Sequence, residues 1–265
     1  MNSSSPDASD WLQPDWPAPP NVHAVCTTRN GGASASPYDS LNLGSHVGDA
    51  ENAVARNREM LQAKLGAKPV FLNQVHGTDM LELAQDSPDG AAADGAFTLK
   101  PSLACTIMVA DCLPVLLCDL RGTQVAAVHA GWRGLAGVKG VGVVEKAFKC
   151  FRPLAPDLSN PDAIEIIAWL GPCIGPDAFE VGDDVVAAFT QTRPEAASCF
   201  KPLPGGKWLA DLPGLARQRL AALGVNRVFG NDSSAQWCTV GQPLRFFSHR
   251  RDRISGRQAA CIWLE

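Results

Sequence analysis

Four short stretches of this chain are largely apolar: LACTIMVA (103–110), VLLCDL (115–120), TQVAAVHA (123–130) and IEIIAWL (164–170). Runs of this length bounded by turn residues predict buried strands. The first two flank the interruption Asp111-Cys112-Leu113-Pro114, and the third stops at Gly131. Strand patterning also covers Val22 to Thr28, VFLNQV (70–75), LRFFSHR (244–250) and RQAACIWLE (257–265). A different period marks ENAVARNREMLQAKLG (51–66), where Val54, Leu61 and Leu65 face inward, Asp49 offers an N-cap and Gly66 a stop. Helical spacing recurs in LAGVKGVGVVEKAFKCF (135–151), setting Val138, Val141, Val144 and Phe148 inward. It recurs again from Asp183 through Phe189 and in LPGLARQRLAALG (212–224), while RNGGASASPYDSLNLG and GPCIGP read as loop and turn.

Strands come both singly and in adjacent runs with helices interspersed, which argues against a simple alternating parallel sheet. The pattern predicts an α+β fold of mixed sheets covered by helices. With 265 residues, 46% of them hydrophobic, the chain can bury one large core. A single domain is expected over residues 21–265. Residues 1–20 form an extended Pro-rich N-terminal arm containing Pro6, Pro14, Pro17, Pro19 and Pro20, with Trp11 and Trp16 able to pin it to the body.

A formal net charge of -4 gives no general attraction to nucleic acid or anionic membrane and points to small-molecule partners. No apolar stretch is long enough to span a bilayer, and the N-terminal residues lack the basic leader and apolar core of a signal peptide. Nine scattered cysteines, an odd number, suit reduced thiols and a cytoplasmic location. CxxC, GxGxxG and GxxxxGK[ST] are all absent, so a zinc ribbon, a dinucleotide site and a P-loop lack their main signal.

What chemistry the sequence offers centres on His76 in NQVHG, Cys112 in MVADCLPVLL and His129 in VAAVHAGWRG. Two imidazoles and a thiolate suit zinc and can also hold copper. Three ligands leave a coordination position open, as catalytic sites require. Taken singly, His76 also reads as a hydrogen-bonded loop histidine and Cys112 as a small buried hydrophobe. His129 differs, because it ends an apolar strand just before a Gly-Trp-Arg-Gly turn. Asp111 reads as a ligand-orienting group, a proton acceptor or a turn cap. Arg133, at a helix start, reads as an anion contact or a surface ion pair. Arg245, Arg250, Arg251, Arg253 and Arg257 concentrate positive charge near the C-terminus, where guanidinium forks suit phosphate and Asp252 offers a competing partner. Cys173 reads as a structural thiol.

At CTTRNGGASASPYDSLNLGSHVGD, NQVHGTD, ADG, VADCLPVLLCD, VAAVHAGWRGLAG, WLGPCIGPDAFEVGDDV and FFSHRRDRISGRQAACIWL the chain resembles a known family. It is the family of laccase-domain or multicopper polyphenol oxidase proteins, also described as purine nucleoside phosphorylases and as peptidoglycan-editing factors. The motifs occur in order and cover nearly everything after the N-terminal arm. The resemblance implies an αββα-like layered sandwich and a metal site, usually zinc, formed by His76, Cys112 and His129. It implies phosphorolysis of adenosine, inosine, guanosine or methylthioadenosine, with adenosine deamination as a further activity. Arg29, Arg133 and Arg250 are then the candidate phosphate contacts, and Asp111 a helper beside the catalytic Cys112, His76 and His129. Multicopper chemistry is disfavoured, since the chain has five histidines and no HxH clusters to hold several coppers. At SHRRD the chain has His249 where the family pattern leads one to expect Tyr. Competing readings are a cell-wall-precursor hydrolase using Cys112 as nucleophile, a copper-dependent polyphenol oxidase and a non-catalytic binding module. A monomer or weak homodimer is expected.

Overall fold

The computed structural model describes residues 10–151 and 165–265. The chain runs from β1 (Val22–Cys26) through helix α1 (Glu51–Leu65) to β2 (Lys68–Phe71), β3 (Met80–Glu82) and β4 (Gly95–Thr98). Three wholly buried strands follow: β5 (Leu103–Val109), β6 (Leu113–Asp119) and β7 (Val125–Ala130). Next come α2 (Trp132–Ala136), α3 (Val143–Cys150), β8 (Ile166–Leu170), β9 (Glu180–Gly182) and α4 (Asp183–Thr190). The chain then forms β10 (Phe200–Leu203), β11 (Lys207–Ala210), α5 (Leu212–Ala222), β12 (Val228–Gly230), α6 (His249–Asp252) and β13 (Gln258–Leu264).

These strands make a four-stranded sheet ordered β1-β13-β5-β2, a six-stranded sheet ordered β12-β8-β6-β7-β4-β3, and a small sheet ordered β10-β11-β9. Parallel and antiparallel pairings mix in both large sheets. Period-two alternation explains the layers. Leu116 and Cys118 of β6, Val125 and Ala127 of β7, Cys105 and Ile107 of β5 and Ala260 and Ile262 of β13 pack in one cluster between the two sheets. Val115, Leu117, Ala126 and Val128 turn the other way, against residues of α2, α3, α4 and α5. Ala104, Met108, Ala259 and Cys261 meet α1 through Leu61 and Leu65. Because both faces of the central strands are covered, these runs are apolar throughout. The result is the α+β sandwich of mixed sheets flanked by helices.

Several boundaries differ from the pattern. The helix expected over 135–151 is two helices, because Gly137, Lys139 and Gly140 all have left-handed φ values of 65°, 51° and 76°. Val138, expected inward, is 76% exposed in that turn. Asp49 does not cap α1: Ala50 holds the N-cap position, and the Asp49 carboxylate instead receives Ser34 Oγ at 2.6 Å and Asn42 Nδ2 at 2.9 Å. LRFFSHR is not a strand. Gln258 takes the backbone of Phe247 with its side chain, accepting the N–H at 2.7 Å, and Ser248 caps α6. VFLNQV leaves the sheet at Phe71, where Gln74 bonds both backbone groups of Met108 at 2.8 Å. Ile164 of IEIIAWL, and Pro6 of the N-terminal arm, lie outside the described residues. Of the arm's remainder, Trp11 and Trp16 pack against the core clusters and Leu12 pairs with Cys26.

Candidate active site

Three segments meet at the end of the layer between the sheets. His76 sits in the turn after β2 with a left-handed φ of 61°, Cys112 lies in the β5–β6 link, and His129 is the penultimate residue of β7. The alternation that turns Val125 and Ala127 inward puts His129 on the same intersheet face. One ligand atom from each of the three residues lies within 4.8 Å of the others. Cys112 Sγ is 3.8 Å from His76 Nε2, and the imidazole rings meet edge-on with centroids 4.7 Å apart. His129 is buried, Cys112 half-buried and His76 exposed, so the group opens to solvent on the His76 side.

Asp94, absent from the sequence candidates, holds the group together. It is fully buried, with Oδ1 2.8 Å from His129 Nδ1. Its carboxylate also accepts the backbone N–H groups of Val75, His76 and Gly77 at 3.2, 2.9 and 2.6 Å. One carboxylate therefore orients His129, leaving its Nε2 for the cavity, and anchors the turn that carries His76. Burial pushes the Asp94 carboxyl up, yet the bonds from His129 and the N–H groups outweigh it and hold the carboxyl below its ordinary range. In the sequence Asp94 stands only in the ADG triplet, with no periodic or cluster signal. Gly131 supplies the floor: a Cβ there would lie 3.0 Å from His76 Cδ2 and 3.1 Å from Cys112 Sγ.

Charge in the metal-free group is shared. Burial would raise the Cys112 thiol, but His129 and His76, through charge and hydrogen bonding, bring it down to about 6. Burial would likewise depress His129, and the Cys112 thiolate together with Asp94 lifts it to about 9. Each group thus favours the charged form of the other.

Asp111, whose φ is 96°, works as a tie. Its Oδ1 accepts the Thr239 hydroxyl at 2.6 Å, its Oδ2 accepts the Arg250 N–H at 2.6 Å, and its carbonyl accepts the Ile174 N–H at 2.9 Å. It thus clamps the Cys112 loop to the C-terminal segment.

The trio opens onto a cavity of about 420 Å³, within the roughly 300–1,000 Å³ range of small-molecule sites. Met108, Trp132, Ile174, Phe179 and Leu212 give it apolar walls, and His46, His249, Arg250, Arg253 and Arg257 a basic one. Arg250 lies over the Phe179 ring and donates to the Glu180 carbonyl at 3.2 Å. Two other predicted contacts do not reach this wall. Arg29 is spent on the loop, donating to the Asp39 and Pro243 carbonyls at 2.9 and 3.0 Å and stacking on Phe247. Arg133 is exposed and lies over Trp132. Cys173 is buried, and its thiol is pushed well up by that burial and by nearby Asp211. Among the described residues, the trio is the one group of three or more His, Cys, Asp or Glu side chains placed to hold a metal ion. His23 is engaged with Glu265 at 2.9 Å.

A mixed-sheet sandwich with a His-Cys-His trio at the mouth of a cavity defines an α+β protein built around a potential metal site. Residues 23–265 match the family described as multi-copper polyphenol oxidoreductase laccase, and the chain belongs to that family. It is 47% identical over 258 residues to the purine nucleoside phosphorylase YfiH of Escherichia coli K12, covering 97% of this chain and 99% of that protein. A purine nucleoside phosphorylase of Pseudomonas aeruginosa is 46% identical over 256 residues, covering 96% of this chain and 98% of that one. Among solved structures, a Neisseria meningitidis protein aligns with a TM-score of 0.87 at 46% identity, covering 97% of this chain and 99% of that one. YlmD of Geobacillus stearothermophilus aligns at 0.84 and 31% identity, covering 98% and 97%.

Proposed function

We propose that this protein is a zinc-dependent purine nucleoside phosphorylase acting on adenosine, inosine, guanosine and methylthioadenosine, with adenosine deamination as a second activity of the same cavity. The observation that carries this reading is the convergence of three metal-donor side chains in a cavity that apolar side chains and three arginines also line. The relatives named above as purine nucleoside phosphorylases support it over nearly the full length of the chain. We assign residues 21–265 to one catalytic unit, acting as a monomer or weak homodimer with no nucleic acid or membrane partner. No helix among the described residues is long and apolar enough to cross a membrane. Cys26, Cys105, Cys118, Cys173 and Cys261 are buried thiols outside any disulfide, which supports a reducing, cytoplasmic setting.

The donor set fits zinc. Tetrahedral bonds of about 2.0 Å to nitrogen and 2.3 Å to sulfur put neighbouring ligand atoms roughly 3.5 Å apart, close to the 3.8 Å between Cys112 Sγ and His76 Nε2. When bound, zinc supplies Lewis-acid polarisation at its fourth position. The chain's own residues do the rest. Phe179 and the apolar wall receive the purine and exclude water, and Asp94 and Asp111 hold the two loops in register. The basic wall, Arg250 included, holds phosphate against the sugar. In phosphorolysis a phosphate oxygen bonds to C1′ as the C1′–N9 bond breaks. Its electron pair leaves with the purine, which takes up the proton that phosphate gives up. Deamination consumes water and releases ammonia, giving inosine from adenosine.

A second reading draws on the depressed Cys112 thiol and the raised His129, the pairing a thiolate nucleophile needs. It makes the protein a metal-free hydrolase of cell-wall precursors. The copper polyphenol oxidase reading has less support, since one three-ligand group does not hold several coppers. Mass-spectrometric product analysis after incubation with adenosine and phosphate decides among them. Adenine with ribose 1-phosphate is the expected result, inosine adds deamination, and neither product moves the hydrolase reading to the front.

A further inference from the structure

The five arginines near the C-terminus fall into different roles once folded. Arg251 is consumed by structure: its guanidinium meets Asp252 at 2.6 Å and donates to the carbonyls of Thr239, Val240 and Phe246. Arg245 lies over Phe246, and Arg250 over Phe179. Arg253 and Arg257 are different, because both line the cavity and neither has a carboxylate within ion-pair distance among the described residues.

Arg257 is held for a ligand rather than by one. Its backbone N–H donates to Asn42 Oδ1 at 2.9 Å, and its carbonyl accepts the Leu43 N–H at 3.1 Å. Nη1 is fixed by the carbonyls of Ser255 and Gly256 at 2.8 and 3.0 Å. Gly44 leaves room for the stem: a Cβ there would come within 2.8 Å of Arg257 Cγ. Only one nitrogen of the fork is thereby occupied by the protein. Arg253 has φ 63° and ψ −55°, the strained centre of a γ-turn in which the Ile254 N–H donates to the Asp252 carbonyl at 2.7 Å. Its N–H closes α6 on the His249 carbonyl at 2.9 Å, and among the described residues its guanidinium has no carboxylate within ion-pair distance. A backbone held in this way, with two guanidinium groups turned to the same cavity as the metal-donor trio, suits an anion with several oxygens in a tetrahedral array.

We propose that Arg253 and Arg257 form a tetrahedral-oxyanion subsite of the cavity, the place where inorganic phosphate docks. The assignment rests on the phosphorylase reading for its catalytic meaning, but the binding site stands on geometry alone. It replaces Arg29, which is bonded to the Asp39 and Pro243 carbonyls, and Arg133, which does not line the cavity. His46, on the same wall, is the third neighbour of this subsite.

The test is steady-state kinetics with phosphate and adenosine varied separately, together with a direct titration of the zinc-loaded protein with inorganic phosphate by calorimetry. Arg257→Gln is expected to raise the KM for phosphate at least tenfold while the KM for adenosine changes less than threefold. Arg253→Gln should act the same way by a smaller factor, and Arg257→Lys should recover part of the loss. Arg227→Gln, at an exposed arginine paired with Glu165 outside the cavity lining, serves as the control and leaves both constants within twofold. A rise in adenosine KM with phosphate KM unchanged overturns the assignment while leaving the phosphorylase reading intact. If the wild-type protein has no phosphorolytic turnover, that reading fails and the titration decides the subsite. Phosphate affinity lowered tenfold by the substitutions upholds it, and affinity that is absent or unaltered overturns it. If Arg257→Gln does not fold, Arg253→Gln, an exposed position, carries the same measurements.

Discussion

Arg219 in the helical layer is buried and Arg257 on the cavity wall is half-buried, and among the described residues only Arg219 has a carboxylate within ion-pair distance. Its Nη2 lies 2.9 Å from Glu145 Oε2 and donates to the Gly140 carbonyl at 2.8 Å, joining α5 to α3 and the turn before it. Glu145 in turn accepts the Gly142 N–H at the start of α3. The two charges meet each other, although Glu145 Oε1 and Arg219 Nη1 are buried without a hydrogen-bond partner. The cavity leaves its charges open: among the described residues Arg253 and Arg257 have no carboxylate within ion-pair distance, and the trio presents three donors to one point. Two buried carboxylates repeat the contrast, since Glu145 meets an arginine whereas Asp94 spends its oxygens on orienting His129 and the His76 turn. Breaking a closed pair strands its partner and costs the fold, whereas an open set awaits a ligand.

The largest way to test that contrast is Cys112→Ala. It should abolish zinc binding and turnover together while leaving the melting transition of the metal-free protein nearly unmoved; retention of both zinc and activity sinks the ligand assignment. Arg219→Leu should do the reverse, stranding Glu145 and lowering unfolding free energy by about 3–5 kcal/mol in urea, with zinc stoichiometry unchanged in the molecules that stay folded. A loss below about 1 kcal/mol would mean that the pair is not what holds α3 to α5.

Asp94→Asn occupies the middle ground, because it keeps the shape of an oriented side chain and removes the charge. Zinc affinity should fall roughly 10–100-fold with the sheets intact, as loss of an outer-shell carboxylate generally costs. Unchanged affinity in a competitive chelator titration would return Asp94 to a purely structural role. The smallest effect is one of pH. With the Cys112 thiol brought down to about 6, the thiolate persists as pH falls to that value, so alkylation of the metal-free protein by iodoacetamide should lose half its rate near pH 6 and be blocked by zinc. A midpoint near 8.5, that of an unperturbed thiol, would show that His129 and His76 do not stabilise the thiolate.

Local pattern was enough to read the strands β5, β6, β7, β8 and β13 and the helices α1, α4 and α5, because a period of two or 3.6 is a property of neighbouring residues. The same pattern gave the α+β class, and the ordered motifs pointed to the family and to His76, Cys112 and His129. It failed where distant groups compete for the backbone. Gln258 took the Phe247 N–H that a strand would have used, loop donors took the Asp49 carboxylate from α1, and three left-handed residues divided α2 from α3. Asp94, Gly131 and the division of labour among the arginines were illegible for the same reason. Their roles exist only when β2, β4, β5–β6, β7 and the C-terminal turn are brought to one place, and spacing along the chain carries no record of which side chains remain unpaired there.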